Sequence, residues 1–241
     1  MTSRIAPRET PEPSEGRITM KQSQTQPKEG ARENGRADGS FIRAMISGAW
    51  RFAVVSMGGF AVWAAGGKWF HAQAGEGGLY AACAVAFIAL AGLLMHPLIE
   101  GSRPVRRFYG IFTPAFFAYA LVWSACWFAL GYGTGEWLGL LGGSAAFIAL
   151  TRWRMKSRRP LLAAVLILFA AQSAGYFIGG KLMHFIASPA GAELMGALSK
   201  AQRGLIAKLA WGAIYGLGFG AGLGWAFHFF QNGPAEGRKQ L

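Results

Sequence analysis

Residues 79–98 read LYAACAVAFIALAGLLMHPL, a stretch of 20 residues without Asp, Glu, Lys or Arg. An α-helix needs about 20 apolar residues to cross the hydrocarbon core of a bilayer, so this stretch has the length and composition of one transmembrane helix. The whole chain has a similar character, because 53% of its 241 residues are hydrophobic and only 15% are charged. The sequence therefore predicts an all-α, polytopic membrane protein rather than a soluble domain.

Five further apolar runs surround this stretch, which makes six predicted spans. The shortest is the fourth, which follows the third after a tight Gly-Tyr-Gly-Thr-Gly-Glu connection. The predicted spans are 46–66, 79–98, 108–132, 137–150, 161–178 and 209–230.

The two ends of the chain and its longest connection differ from the spans. Residues 1–40 are rich in Pro, Glu, Gln and Ser and contain almost no large apolar side chains. Such a segment cannot bury enough surface to offset its ordering entropy, so we predict a disordered cytoplasmic tail at 1–40, and a short cytoplasmic tail at 232–241. Apolar side chains repeat at helical spacing over 190–208, which predicts either an amphipathic helix on the membrane surface or an N-terminal extension of the sixth helix.

The distribution of Lys and Arg predicts the orientation. Three follow the second span and five follow the fourth, whereas one follows the first and none follows the third. Because short cytoplasmic loops carry an excess of Lys and Arg, both ends of the chain are expected in the cytoplasm. The long connection between the fifth and sixth spans is an exception, since it is expected outside and carries Lys181, Lys200, Arg203 and Lys208. No apolar stretch precedes the first span, so that span is expected to direct insertion itself, into a bacterial inner membrane.

The formal net charge of +13 first indicates a nucleic-acid partner, but its distribution does not. Residues 1–40 hold seven basic and six acidic residues, so nearly all of the surplus lies beside the apolar runs. These basic residues form no continuous patch interleaved with exposed aromatic side chains. The expected partner is the lipid bilayer, and no nucleic acid is predicted.

Glycines recur at every fourth position of the predicted sixth span, at Gly212, Gly216, Gly220 and Gly224. One face of that helix therefore lacks side chains, which lets another helix approach closely within lipid. We expect this face to pack against another helix of the chain or against a second copy in a homo-oligomer. A groove that faces a pore or a ligand would use the same pattern.

A polar cluster follows the second span and consists of His96, Glu100, Arg103, Arg106 and Arg107. Arg side chains at the membrane surface can hold lipid phosphate through two parallel hydrogen bonds, so this cluster is a candidate lipid-headgroup site. The simpler interpretation is anchoring at the cytoplasmic face, with Glu100 paired to an Arg and His96 bonded to a free carbonyl group at the helix end.

The other polar residues predict no cofactor and no metal ion. Two of the four histidines, His96 and His228, lie at the inner ends of spans, and His71 and His184 are expected outside the membrane. The haem ligands of membrane cytochromes lie deeper in their helices. The middle of each span lacks Asp, Glu, Lys and Arg, which disfavours an ion-coupled transporter.

Ser144 in the fourth span and His228 in the sixth invite comparison with the rhomboid intramembrane proteases, which also have six spans. Rhomboids carry Gly-x-Ser-Gly, whereas residues 142–145 read Gly-Gly-Ser-Ala. Their histidine lies near the start of the sixth span, and His228 lies near its end. A nucleophile and its base must be within hydrogen-bond reach, so a serine protease is not indicated.

Two functions remain open from the sequence. The first is a non-catalytic scaffold, assembly partner or small-solute conduit that depends on glycine-mediated helix packing. The second is a lipid-binding or lipid-modifying protein that uses the cluster at His96–Arg107.

Overall fold

The computed structural model describes the backbone of residues 29–232 and the side chains of residues 40–232. This part of the chain is helical and contains no strand. Both predicted tails lie outside the described residues, apart from residues 29–40, which open the first helix, and Asn232. The elements are α1 (Glu29–Met95), a 3-10 helix (His96–Leu98), α2 (Pro104–Leu130), α3 (Thr134–Met155), α4 (Leu161–Ala187), α5 (Pro189–Leu194) and α6 (Lys200–Gln231).

α1 is a helical hairpin. Ala74 (φ −140°, ψ 15°) and Gly75 (φ 64°, ψ −166°) leave the helical conformation and divide α1 into two limbs. The limbs lie side by side, since the ring centroids of Phe52 and Phe87 are 6.0 Å apart. The first two predicted spans are therefore these two limbs, and most of the connection between them is helical rather than a loop.

α2 and α3 form an antiparallel pair joined by a tight turn. Gly131 and Gly133 have φ values of 69° and 78°, which glycine adopts without a steric penalty. The Gly133 N–H donates to the Glu136 carboxylate over 3.1 Å and so caps the start of α3. The two helices touch, because a methyl group on Gly139 would lie 3.1 Å from Cδ1 of Trp123.

α4 and α6 are connected by the short helix α5. α4 extends to Ala187, beyond the predicted end of the fifth span, and α6 begins at Lys200, before the predicted start of the sixth. Ser199 caps α6, since its hydroxyl accepts from the Gln202 N–H over 3.2 Å and its own N–H donates to the Gln202 side chain over 2.9 Å. Residues 190–208 are thus divided between α5 and the first turns of α6.

Aromatic rings fill the centre of the bundle. Phe108, Phe112 and Phe116 follow one face of α2, with successive ring centroids 5.0 and 5.2 Å apart. Phe219 of α6 is fully buried and lies at the centre of this packing. Its ring neighbours come from α1, α2 and α3 and are Phe52, Phe116, Tyr119 and Phe147.

One end of the bundle gathers both ends of the described chain. The Gln231 side chain donates to the Leu98 carbonyl over 2.9 Å. The Arg159 guanidinium donates to the Asn232 carbonyl over 2.7 Å. We call this the basic end, because among residues 40–232 it carries ten Lys and Arg and a single Glu, whereas the far end carries five Lys and Arg and three Glu. The charged residues of the basic end are Arg43, Arg51, Glu100, Arg103, Arg106, Arg107, Arg152, Arg154, Lys156, Arg158 and Arg159. Those of the far end are Lys68, Glu76, Glu136, Lys181, Glu193, Lys200, Arg203 and Lys208.

The outer surface of the bundle is apolar. Exposed Val85, Leu93 and Leu162 each have about two thirds of their surface accessible, while Gln172 is completely buried. Four helices are long and apolar enough to cross a membrane: Ser40–Leu98, Pro104–Leu130, Leu161–Ala187 and Lys200–Gln231. These features indicate an integral membrane protein.

Candidate functional site

The glycine row of α6 faces the first limb of α1. A methyl group on Gly216 would lie 2.6 Å from the Cα of Ala53, and one on Gly220 would lie 2.6 Å from the Cβ of Phe52 and would overlap the Gly48 carbonyl oxygen. Real Cβ atoms do not approach other atoms so closely. The two backbones therefore meet at a distance that only glycine permits.

The two ends of the same row are also in contact with α1. Gly212 lies against Phe60, and a methyl group on Gly224 would lie 2.8 Å from the carbonyl carbon of Ala44. The four predicted glycines are thus brought together in one helix contact inside the chain. This contact covers the row, so the row is not a free surface for a second copy.

A second glycine row on α6 faces α4. A methyl group on Gly218 would lie 3.0 Å from the Cα of Gly175, and one on Gly222 would lie 2.8 Å from the Leu168 side chain. Glycines on α4 contribute to the same contact, because Gly179 lies against Trp211. α6 is therefore held between two helices through backbone contacts on both sides.

His96 and Arg107 of the predicted lipid-headgroup cluster bind the protein's own backbone. The Nδ1 atom of His96 lies 3.0 Å from the Leu93 carbonyl oxygen and 3.2 Å from that of Gly92. Pro97 has no N–H to offer the Leu93 carbonyl, so the imidazole takes the place of the missing donor. The Arg107 guanidinium donates to the main-chain carbonyl of Glu100.

The other members of the cluster are arranged around this closed turn. The Glu100 N–H donates to the Gln231 side chain over 2.7 Å, which ties the turn to the end of α6. Arg103 begins α2 in the left-handed conformation (φ 57°, ψ 55°). Arg103 and Arg106 are exposed, and neither guanidinium group has a hydrogen-bond partner among residues 40–232. These two guanidinium groups are therefore the part of the cluster that faces outward.

Ser144 and His228 make separate contacts. The Ser144 hydroxyl donates to the Leu140 carbonyl over 2.7 Å and accepts a hydrogen bond from Gln172. His228 lies at the basic end, with Nε2 3.1 Å from the Ser40 hydroxyl and its ring against Phe41. Neither residue is placed as half of a catalytic dyad.

A buried polar link joins α3 to α4 and was not predicted from the sequence. Gln172 donates to the Leu140 carbonyl over 2.8 Å and also to Ser144, while its own carbonyl oxygen has no partner within the described part of the chain. A second buried polar pair joins α2 to α6, where the hydroxyl oxygens of Tyr119 and Tyr215 lie 3.3 Å apart. The sequence does show polar residues inside apolar runs. It does not show which residues they contact, because their partners lie on other helices.

Comparisons of the chain with protein-family profiles, with curated proteins and with solved structures found no match.

Proposed function

We propose that the chain is a non-catalytic scaffold or assembly partner with six membrane crossings and both ends in the cytoplasm. The observation that carries this proposal is the solid interior: α6 lies between α1 and α4 on two glycine rows, and aromatic rings fill the bundle centre. Such packing makes a rigid apolar body with a wide lipid-facing surface, on which another membrane protein can pack.

The geometry of two helices, α1 and α3, supports the proposal of six crossings. The segment Ser40–Leu98 has 59 residues, about twice what one crossing needs, and its two limbs lie side by side. α3 is not among the four apolar helices, and it carries Glu136 in its first turn and Arg152 and Arg154 in its last. Its 22 residues nevertheless span about 33 Å, and it packs against α2 from Cys126 to Phe112. The six proposed crossings are then the two limbs of α1 together with α2, α3, α4 and α6.

The charge difference between the two ends supports the orientation. The basic end has ten Lys and Arg against five at the far end, and cytoplasmic loops favour such an excess. A topology reporter fused after Ser157 is expected to read cytoplasmic, and one fused after Gly133 periplasmic. A periplasmic reading at Ser157 would remove α3 as a crossing.

The assembly role is tested by photocrosslinking in the native membrane. A photoreactive amino acid at exposed Trp50 or Val54 is expected to give a defined adduct with another membrane protein, because these positions face away from the bundle. The same group at buried Phe52 is the matched control and is expected to react only within the chain. If the exposed positions react with lipid alone, the assembly role is wrong.

The conduit alternative is tested by flux. Liposomes that contain the purified protein are expected to pass water and glycerol no faster than empty liposomes, because rings occupy the bundle axis. Flux well above that of empty liposomes would show that the protein is a conduit rather than a scaffold.

Lipid binding at the His96–Arg107 cluster is a second candidate function, favoured by the exposed guanidinium groups of Arg103 and Arg106. Native mass spectrometry would test it by comparing anionic lipid retained by the wild type with that retained by Arg103→Gln/Arg106→Gln. The second candidate function predicts that the variant retains less anionic lipid than the wild type. Equal amounts of lipid on the two proteins would rule it out.

A further inference from the structure

A cleft of about 780 Å³ opens at the corner between α3 and α4, at the basic end. Three of its lining side chains are cationic and none is acidic. The other lining residues are the apolar Ala149, Trp153 and Leu161, and Ser157, which carries a hydroxyl group. The lining residues are Ala149, Arg152, Trp153, Arg154, Lys156, Ser157 and Leu161.

The backbone of this corner is held in one conformation. Lys156 ends α3 in the left-handed region (φ 54°, ψ 32°), and the Ser157 N–H donates back to the Arg152 carbonyl over 3.1 Å. The Nε of Arg152 in turn donates to the Ser157 carbonyl over 3.2 Å. The guanidinium is thereby anchored through one N–H, and its two terminal nitrogens have no partner among residues 40–232.

An anchored guanidinium with free terminal nitrogens is suited to phosphate, because its planar fork matches two phosphate oxygens. Lys156 is exposed on the same corner and adds a second positive charge. The chemistry of the cleft mouth therefore fits a phosphate group.

The lower wall of the cleft indicates that the phosphate belongs to a lipid. Trp153 is 67% exposed, with the Arg154 guanidinium 5.0 Å from its ring centroid, and Trp is typical of the membrane interface. Leu161 of α4 also lines the cleft, and Leu162 and Leu166 farther along α4 are exposed, at 68% and 49%. A free phosphate ion would not use this apolar wall, whereas acyl chains would cover it.

We propose that the α3–α4 cleft binds the headgroup of an anionic phospholipid, with its phosphate on Arg152 and Lys156 and its chains against Trp153 and Leu161. This site is separate from the cluster at Arg103 and Arg106. The inference rests on the proposed crossing of α3, because only then does the cleft lie at the membrane interface.

The test uses the full chain purified in detergent with equal amounts of phosphatidylglycerol and phosphatidylcholine, followed by native mass spectrometry. The wild type is expected to retain phosphatidylglycerol preferentially. In Arg152→Gln/Lys156→Gln the ratio of retained phosphatidylglycerol to phosphatidylcholine is expected to fall about tenfold, since two charged contacts to phosphate are removed. Lys181→Gln/Lys200→Gln has the same charge change at two exposed positions of the far end and is expected to keep the preference.

Three results would overturn the inference. One is a wild type that retains both lipids equally, and another is an Arg152→Gln/Lys156→Gln variant that remains folded by circular dichroism and retains phosphatidylglycerol like the wild type. The third is displacement of the lipid by millimolar inorganic phosphate, which would assign the cleft to a free anion. The crosslinking and flux experiments do not depend on the cleft. A negative result for lipid binding at the cleft therefore leaves the scaffold proposal unchanged. A periplasmic reading from the reporter at Ser157 would instead show that α3 does not cross the membrane.

Discussion

Gly220 illustrates how a missing side chain sets a contact between two helices. Its Cα hydrogen faces the Gly48 carbonyl on α1, and a methyl group would occupy the space of that oxygen. Gly204 is on the same helix, but a methyl group there would have no atom within 4 Å. The same residue type is therefore required at one position of α6 and dispensable at another.

The Gly220→Ala variant is expected to lower the free energy of unfolding by roughly 1–3 kcal/mol, because α1 and α6 must separate to admit the methyl group. Gly204→Ala is expected to be neutral, or to add roughly 0.5–1 kcal/mol through helix propensity. Reversible unfolding in mixed micelles measures both. Equal effects from the two variants would contradict the glycine contact.

Gln172 carries the polar contact between α3 and α4. In an apolar environment a helix-to-helix hydrogen bond contributes roughly 0.6 kcal/mol and at most about 1.7. The Gln172→Ala variant also leaves a cavity in a completely buried position. We expect it to destabilise the fold by roughly 2 kcal/mol in the same unfolding assay.

Ser173 is the matched control for Gln172. It is buried next to it on α4, but its hydroxyl has no hydrogen-bond partner in the described part of the chain. Ser173→Ala is therefore expected to change stability by less than about 0.5 kcal/mol. A larger loss from Ser173→Ala than from Gln172→Ala would show that the link to Ser144 does not stabilise the pair.

At the scale of elements, the break in α1 decides how the first third of the chain folds. Residues on both sides of Ala74–Gly75 remain helical, so two residues reverse the direction of a 67-residue helix. Gly75 combines positive φ with extended ψ, a conformation that is essentially restricted to glycine. Gly77 has ordinary helical geometry and open space around it.

The Gly75→Ala variant is expected to lose roughly 1–3 kcal/mol of stability, because the alanine is strained in the native turn. Gly77→Ala, two residues away, is expected to cause no loss. Thermal unfolding of the two purified variants compares them directly. A Gly75→Ala protein as stable as Gly77→Ala would mean that the reversal does not need the glycine conformation.

At the scale of the whole molecule, Phe219 is where the helices meet. Its buried ring lies 4.9 Å from that of Phe52 on α1 and 5.9 Å from that of Phe147 on α3, measured between centroids. Leu217 lies two residues away on the same helix and is 42% exposed. The centre of the bundle therefore depends on one face of α6, and its opposite face belongs to the lipid.

The Phe219→Ala variant is expected to destabilise the fold by roughly 3–5 kcal/mol, because a large cavity opens where four helices pack. Leu217→Ala, at the lipid-facing surface, is expected to cost far less. Yield of monodisperse protein and its unfolding midpoint measure the difference. Similar midpoints would show that the aromatic centre is not the main packing contact.

The apolar runs and the glycine spacing of α6 are local patterns, so the sequence by itself determined the helical membrane class. It also marked Gly212 to Gly224 as a packing face. What it left open were the partner of that face, the helical reversal at Gly75, the polar link at Gln172 and the cleft beside Arg152. Only the tertiary structure decided these, because each depends on contacts between residues that are far apart in the chain, and a periodic pattern states that a face will be covered but not by which helix.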